Sequence, residues 1–317
     1  MRLRFLKSWI TTLALFCVIS LPTISRAINT GDIIVADRAT GLIFVDHVTG
    51  AQHVLSATDA YIDVASNSAG DVFALASNLP GSIYRIDTIT GARSLLTTGG
   101  HLQSARTIDL SPDGALYVAR ENSTEGLIRV DPTSGIQTVV AGGFIRAFVP
   151  AGAGLGYVAL GDSPTGYHLY RVDLSSGQLT QVSNTGFENP GGLALDTSGN
   201  VILTDASFAV PSVSRIDPTT GSATMLNAGP FLTPWGVTVE SDGSIIVADH
   251  QNAQSCTRPE DHACPGALYR LGAGGGQTLL TEKDLFHDIA GADIYKGPSV
   301  PTSARKRTWT YVKQIYR

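Results

Sequence analysis

The sequence predicts an all-β chain, a six-bladed β-propeller of four-stranded antiparallel blades, and three observations predict it. The first is an octapeptide that returns at a nearly fixed interval: IFVDHVTG (Ile43–Gly50), YRIDTITG (Tyr84–Gly91), IRVDPTSG (Ile128–Gly135), YRVDLSSG (Tyr170–Gly177), SRIDPTTG (Ser214–Gly221) and a degenerate YRLGAGGG (Tyr269–Gly276). Asp46, Asp87, Asp131, Asp173 and Asp217 stand 41, 44, 42 and 44 residues apart, with 55 more to Gly272. A period of 40–45 residues is the length of a four-stranded blade. The second is a further pair of strand-like runs in each period, such as PGGLALD with GNVILTD and PWGVTVE with GSIIVAD. The third lies at the two ends. Gly31–Asp37 (GDIIVAD) is a second strand with no first strand before it, and Ile289–Tyr295 (IAGADIY) resembles PGGLALD. The C-terminal strand is therefore expected to complete the N-terminal sheet, because an open sheet leaves an exposed edge.

Taken in order, each unit has the same local logic. The Arg-(Ile/Val)-Asp alternation is a strand with one apolar face. Asp, then Pro, Ser or Thr, then Gly is a turn, in which the carboxylate caps backbone N–H groups and Gly supplies positive φ. Apolar residues after the Gly (Val54, Leu95–Leu96, Val139–Val140, Leu179, Met225) open the outermost strand. The second unit carries IDVASNSAGDVFALAS, the third RTIDLSPDG and ALYVAR ending at Arg120, and the fourth the looser FVPAGAGLGYVALGD ending at Asp162. Short Val, Ile, Leu and Tyr runs bounded by Asp-Gly, Ser-Gly and Gly-Asn are strand–turn–strand signals, and no window reads as an amphipathic helix. Arg85, Arg129, Arg171, Arg215 and Arg270 hold one repeat position and are expected to pair with the Asp of a neighbouring strand or blade.

Residues 1–27 read as an export leader: Arg2, Arg4 and Lys7, an apolar run from Trp9 to Leu21, and a small-x-small site at Ser25-Arg26-Ala27. A secreted or periplasmic location follows. Residues 28–297 form the propeller and 298–317 a basic tail. The leader holds four bases and the last 22 residues six, neither with an acid, which leaves twelve bases against 27 acids between Ile28 and Tyr295. A body of charge −15 repels phosphate backbones and excludes nucleic acid as a partner. Cys256 and Cys264 are the two cysteines after the leader and are expected to form a disulfide in an oxidising compartment. A metal reading of the pair finds only His262 beside them.

The pattern P-x-G-(L/V)-x-(L/V)-(D/E)-x-x-G-x-(I/V)-(I/L)-(V/L)-x-D resembles the NHL repeat, and the chain from Ile28 to Lys296 is similar to six-bladed propellers of the gluconolactonase and senescence-marker-protein type. That resemblance implies one functional face, where loops enter the first strand and leave the second strand of each blade. On it fall Asp37, Arg120, Asp162, Asp205 and Asp249 at second-strand ends, and His101, Arg106, Arg146, Asn189, Trp235, His287 and Asp288 near first-strand starts. It further implies a divalent ion (calcium, magnesium or zinc), with Asp205, Asp249 and Asn189 as oxygen ligands polarising a carbonyl or activating water. The position that the family gives to a ligating asparagine is occupied here by Gly191 and Trp235. His250, His287 and Asp288 are the candidate proton-transfer groups, resembling those of amidating and virginiamycin B lyases. Asp37, Arg106, Arg146, Asp162 and Trp235 are expected to line a ligand pocket, with Trp235 as a channel plug or an aromatic wall. The Cys256–Cys264 insertion is the one loop large enough for a lid.

Two functions follow as expectations. One is a metal-assisted hydrolase or lyase acting on a small ester or lactone at the channel. The other is a non-catalytic propeller presenting loops to a partner protein or envelope glycan. A monomer is expected. The sequence has no G-x-S-x-G elbow, glycine-rich phosphate loop or HExxH helix. Asn122-Ser123-Thr124 is a sequon of consequence only in a eukaryotic secretory host. The basic tail is read as docking on the acidic body or meeting an anionic envelope surface.

Overall fold

A computed structural model describes residues 27–299, apart from 58, 77, 79, 162–165, 228, 252–264 and 273. The leader to residue 26, Asp162, both cysteines of the expected disulfide, His262 and the tail from residue 300 lie outside the described residues.

The described residues form a succession of antiparallel strands with one short 3-10 turn at Gly100–Leu102. They are β1 (Ile33–Asp37), β2 (Gly41–Val45), β3 (Gln52–Ser56), β4 (Tyr61–Ser66), β5 (Val72–Ala76), β6 (Ser82–Ile86), β7 (Arg93–Thr98), β8 (Ala105–Leu110), β9 (Leu116–Val130), β10 (Gln137–Gly152) and β11 (Leu155–Gly161). There follow β12 (Tyr167–Asp173), β13 (Leu179–Gln181), β14 (Pro190–Leu195), β15 (Val201–Asp205), β16 (Ser212–Ile216), β17 (Ala223–Asn227), β18 (Pro234–Val239), β19 (Ile245–Asp249), β20 (Ala267–Leu271), β21 (Gln277–Glu282) and β22 (Ile289–Ile294). Four sheets have four strands: β22-β1-β2-β3, β4-β5-β6-β7, β14-β15-β16-β17 and β18-β19-β20-β21. The fifth has six, β13-β12-β11-β10-β9-β8. There the structure departs from uniform four-stranded units. Both β9 and β10 are double-length, and their pairing survives through register shifts at Val139/Ala141 and Ala141/Gly143. The first part of β9 pairs with β8 and its last part with β10, whose own second half pairs with β11. At the ends of the chain, β22 pairs antiparallel with β1, with Ile33 opposite Ile294.

The octapeptide explains itself in the turns. Asp46 accepts the N–H groups of Val48 and Thr49 at 2.8 and 2.6 Å, and Asp87, Asp131, Asp173 and Asp217 repeat the arrangement. The closing glycines have φ of 72–73°, a left-handed conformation that costs Gly little. They are needed for space as well. An added Cβ on Gly50 would meet the carbonyl of Leu280, on Gly91 that of Leu55, on Gly135 that of Leu96, on Gly177 that of Val140, on Gly221 that of Val182, and on Gly275 that of Leu226. Each turn therefore seats on the outer strand of the unit before it, and the first unit seats on the last.

The expected pairing with an aspartate is seen at two of the five positions, and at a third a glutamate takes its place. Arg85 pairs with Asp71, Arg215 with Asp196 at 3.0 Å, and Arg270 with Glu240 at 2.6 Å, each tying the third strand of a sheet to the turn between its first two. Apolar burial sits between consecutive sheets. Ile34, Phe44, Tyr61 and Ala74 join the first sheet to the second, and Ile33, Ile43, Ile246 and Phe286 join it to the last. The innermost strands β22, β4, β8, the second half of β10, β14 and β18 pack side by side around a central cavity. Gly191 and Gly291 allow that approach, since a Cβ on the first would meet the backbone of Pro234 and Trp235, and on the second the Asp63 carboxylate.

Candidate functional site

The innermost strands leave a channel of about 850 Å³ between them. Basic side chains gather at one end and carboxyl groups at the other. Arg38, Arg106, Arg146 and Trp235 line one end, and Asp63, Asp109, Asp293 and Lys296 line the other half.

The strand-end carboxylates of the first end serve the loops. Asp37 is fully buried. Its Oδ1 accepts the N–H groups of Ala39 and Thr40, and its Oδ2 those of His287 and Asp288. Asp205 accepts Glu188 and Asn189 N–H at 3.1 and 2.7 Å, and Asp249 accepts Leu232 and Thr233 N–H at 3.1 and 2.7 Å. Asn189 donates from Nδ2 to the Ala206 carbonyl at 3.1 Å. Asp205 and Asp249 thus each hold the loop entering their own sheet. Burial pushes Asp249 up to about 7 against the pull of the Thr233, Leu232 and Gln251 N–H groups, and burial likewise raises Asp205. An ion needs free lone pairs converging on one point. The oxygens of Asp205 and Asp249 are given to backbone N–H groups, and among the described residues no three His, Cys, Asp or Glu side chains gather to hold a metal. These residues are therefore not arranged to fit a divalent ion. In the third unit Arg120 replaces the aspartate, donating to the His101 carbonyl and to Glu125, both at 2.7 Å. His101 Nδ1 lies 3.0 Å from Glu125.

Of the expected proton-transfer groups, the fold brings together His250 and Asp288, with Nδ1 and Oδ1 3.2 Å apart. His250 Nδ1 also lies 3.0 Å from the Ile289 carbonyl, so it carries the hydrogen. Burial depresses this imidazole below its usual value, against the attraction of Asp288. His287 is engaged elsewhere, 3.0 Å from both the Leu285 carbonyl and Thr40 Oγ1. Trp235 stacks on His250 with centroids 4.3 Å apart, and the Arg38 guanidinium stands 4.7 Å from the Trp235 ring centroid. Arg38 pairs with Asp288 at 3.2 Å. The Trp235 indole Nε1 is buried in the channel wall without a hydrogen-bond partner among the described residues, as is Thr107 Oγ1.

A second cluster is built on Glu121. Arg106 reaches it at 2.6 Å, Arg146 at 3.0 Å and the Tyr167 hydroxyl at 2.7 Å, while Arg146 Nε donates to the Pro190 carbonyl at 2.8 Å. Burial would raise the Glu121 carboxyl, but Tyr167 and the two guanidiniums hold it below the ordinary range. Sequence reasoning placed Arg106, Arg146, Trp235, His250 and Asp288 on this face but missed Arg38, Glu121 and Tyr167. The missing signal was positional. Arg38 and His250 each follow the last residue of a second strand, and Glu121 follows Arg120, which stands at the equivalent place in the third unit.

The remaining end is acidic. Asp63 accepts the Ile108 N–H at 2.8 Å, and Asp293 accepts Ser66 N–H and Oγ–H at 2.7 and 2.8 Å, bonds that join consecutive innermost strands. Lys296 pairs with Asp293 at 2.9 Å. Burial pushes Asp63 up to about 8, and burial with the nearby Asp63 and Asp293 raises Asp109 well above the carboxylate range.

No family model matches the chain, and no curated protein matches it. Solved structures do. A chain of a nidogen/laminin complex superposes with a TM-score of 0.63 at 12% identity, covering 84% of this chain and 99% of that one. TolB from Acinetobacter baumannii superposes with a TM-score of 0.63 at 15% identity, covering 82% of this chain and 65% of TolB. Together with the stacked four-stranded sheets, these likenesses support one fold for the chain, a β-propeller.

Proposed function

We propose that the protein is an exported six-bladed propeller that binds a small anionic ligand at the arginine-lined end of its channel. The count of six rests on reading the six-stranded sheet as two blades, with β9 and β10 each supplying two strands, and on the six turn glycines that seat in cyclic order. Export rests on the leader composition, and the described residues contain no helix long and apolar enough to cross a membrane. One observation carries the ligand reading: three guanidiniums and an indole line one end of a channel of about 850 Å³, in a body of charge −15. Asp288 and Glu121 neutralise two of those three charges. Each guanidinium has five N–H donors in a fixed fork, so donors remain for a ligand oxygen.

A second reading, a hydrolase or lyase acting on a small ester or lactone, is favoured by the His250–Asp288 contact. With its Nδ1 hydrogen held by Ile289 and Asp288, the His250 Nε2 lone pair is the base of that reading. Calorimetry of the full chain with hexanoate, and with hexanamide as the neutral control, tests the binding reading. Hexanoate is expected to bind, hexanamide at least about tenfold more weakly, and Arg106→Gln with Arg146→Gln to remove the difference. Equal affinity for acid and amide would end the anion reading. Turnover of an ester and lactone panel, abolished by His250→Ala, would establish the enzyme reading instead.

A further inference from the structure

Strand β8 carries both polarities of the channel. Arg106 lies near its start and Asp109 three residues on, about 10 Å along an extended strand, and both line the cavity. The three carboxyls of the acidic half are not equivalent. Asp63 and Asp293 are used in binding the next innermost strand, and Lys296 is used by Asp293. Asp109 accepts no hydrogen bond from the described residues; it meets Asp63, Asp293 and Lys296 only through their charge. A carboxyl ringed by protein yet open to the channel is an orphan that a ligand donor would satisfy. Thr107, between Arg106 and Asp109 in sequence, has a buried Oγ1 with no hydrogen-bond partner among the described residues.

Resting on the arginine-end reading above, we propose that the channel takes a linear zwitterion, its anionic group among Arg38, Arg106 and Arg146 and its ammonium group against Asp109, the two about 10 Å apart. The ammonium would replace the proton that burial keeps on Asp109, which leaves to solvent, and the channel then measures both charge and length. A monocarboxylate uses only one end, and an amine alone lacks the guanidinium contacts.

The test is a ruler of unbranched ω-amino acids, with about three to eight methylenes between the ammonium and the carboxylate so that their lengths bracket that separation. They are titrated into the full chain beside hexanoate and hexylamine. Affinity is expected to peak at about five to seven methylenes, at least about tenfold above a carboxylate of equal length, the worth of one charge-assisted contact. Asp109→Asn should bring the peak down to the carboxylate level while hexanoate itself binds unchanged. The length profile needs no variant and stands if the substitution disturbs folding. If hexanoate binds and the amino acids bind no tighter at any length, the zwitterion inference falls and the arginine-end reading survives. If hexylamine matches the best amino acid, the inference falls as well. If neither acid nor amino acid binds, the arginine-end reading fails and takes this one with it.

Discussion

Trp235 and His250 lie face to face, their ring centroids 4.3 Å apart and their planes 10° from parallel. The stack joins the first strand of the sixth unit to the residue that follows its second strand. Removing the imidazole should loosen the indole more than it unfolds the protein. His250→Ala is expected to cost about 0.5–1.5 kcal/mol and to shift tryptophan emission to the red. The measurement uses a Trp9→Phe, Trp309→Phe background, so that Trp235 is the sole tryptophan reporter. Unchanged emission would mean that the stack does not persist in solution.

Asp249 is placed to hold two loop N–H groups. Asp249→Ala leaves both buried and unsatisfied, at an expected cost of about 2–4 kcal/mol, and Asp249→Asn, which keeps one acceptor, about half of that. Urea unfolding with and without EDTA measures it. The loss should be the same in both; a wild-type protein that EDTA destabilises to the level of Asp249→Ala would restore the ion that the sequence suggested.

Asp63 gives the stability a pH dependence. Its carboxyl is held protonated up to about 8 in the fold, against 3.8 as the ordinary value. The folded chain therefore keeps a proton that the unfolded chain releases. Stability is complete below about pH 4 and is lost as pH rises through about 8. Asp63→Asn cannot ionise and still accepts the Ile108 N–H. It should gain about 4 kcal/mol of stability over wild type between pH 4.5 and pH 8.5. Parallel melting curves across that range would contradict the assignment.

Truncation after Asp288 removes β22 and leaves β1 paired with β2 alone, its inner edge bare. Loss of a cooperative unfolding transition and aggregation are expected, since a bare, fully buried strand edge is an open template. A synthetic peptide of Ile289–Ser299 supplied in trans should recover cooperativity by strand addition. A soluble truncated chain with an unaltered melting temperature would refute the role given to β22.

The propeller was legible because its turns demand chemistry. Asp46 and its equivalents cap two N–H groups, and Gly50 and its equivalents meet a neighbouring carbonyl, so the same letters recur wherever the geometry does. The merging of sheets at β9 and β10 was not legible, because pairing across Gly143 leaves no repeating letter behind. Aspartates at strand ends looked like ion ligands because a sequence shows a carboxylate but not the N–H groups converging on it. Arg38 and Glu121 escaped notice for the opposite reason. Nothing in the turn or the strand requires them, and their partners Asp288 and Arg146 lie 250 and 25 residues away.

The pairing of β22 with β1 also sets a schedule. Strand β1 precedes every other described strand, yet its innermost neighbour β22 begins about 250 residues later. During synthesis the opening sheet therefore waits with one side bare until β22 has been made, and the cavity has no complete wall before then. A ring wired in this way closes its cavity in one event, when β22 reaches β1, rather than sheet by sheet.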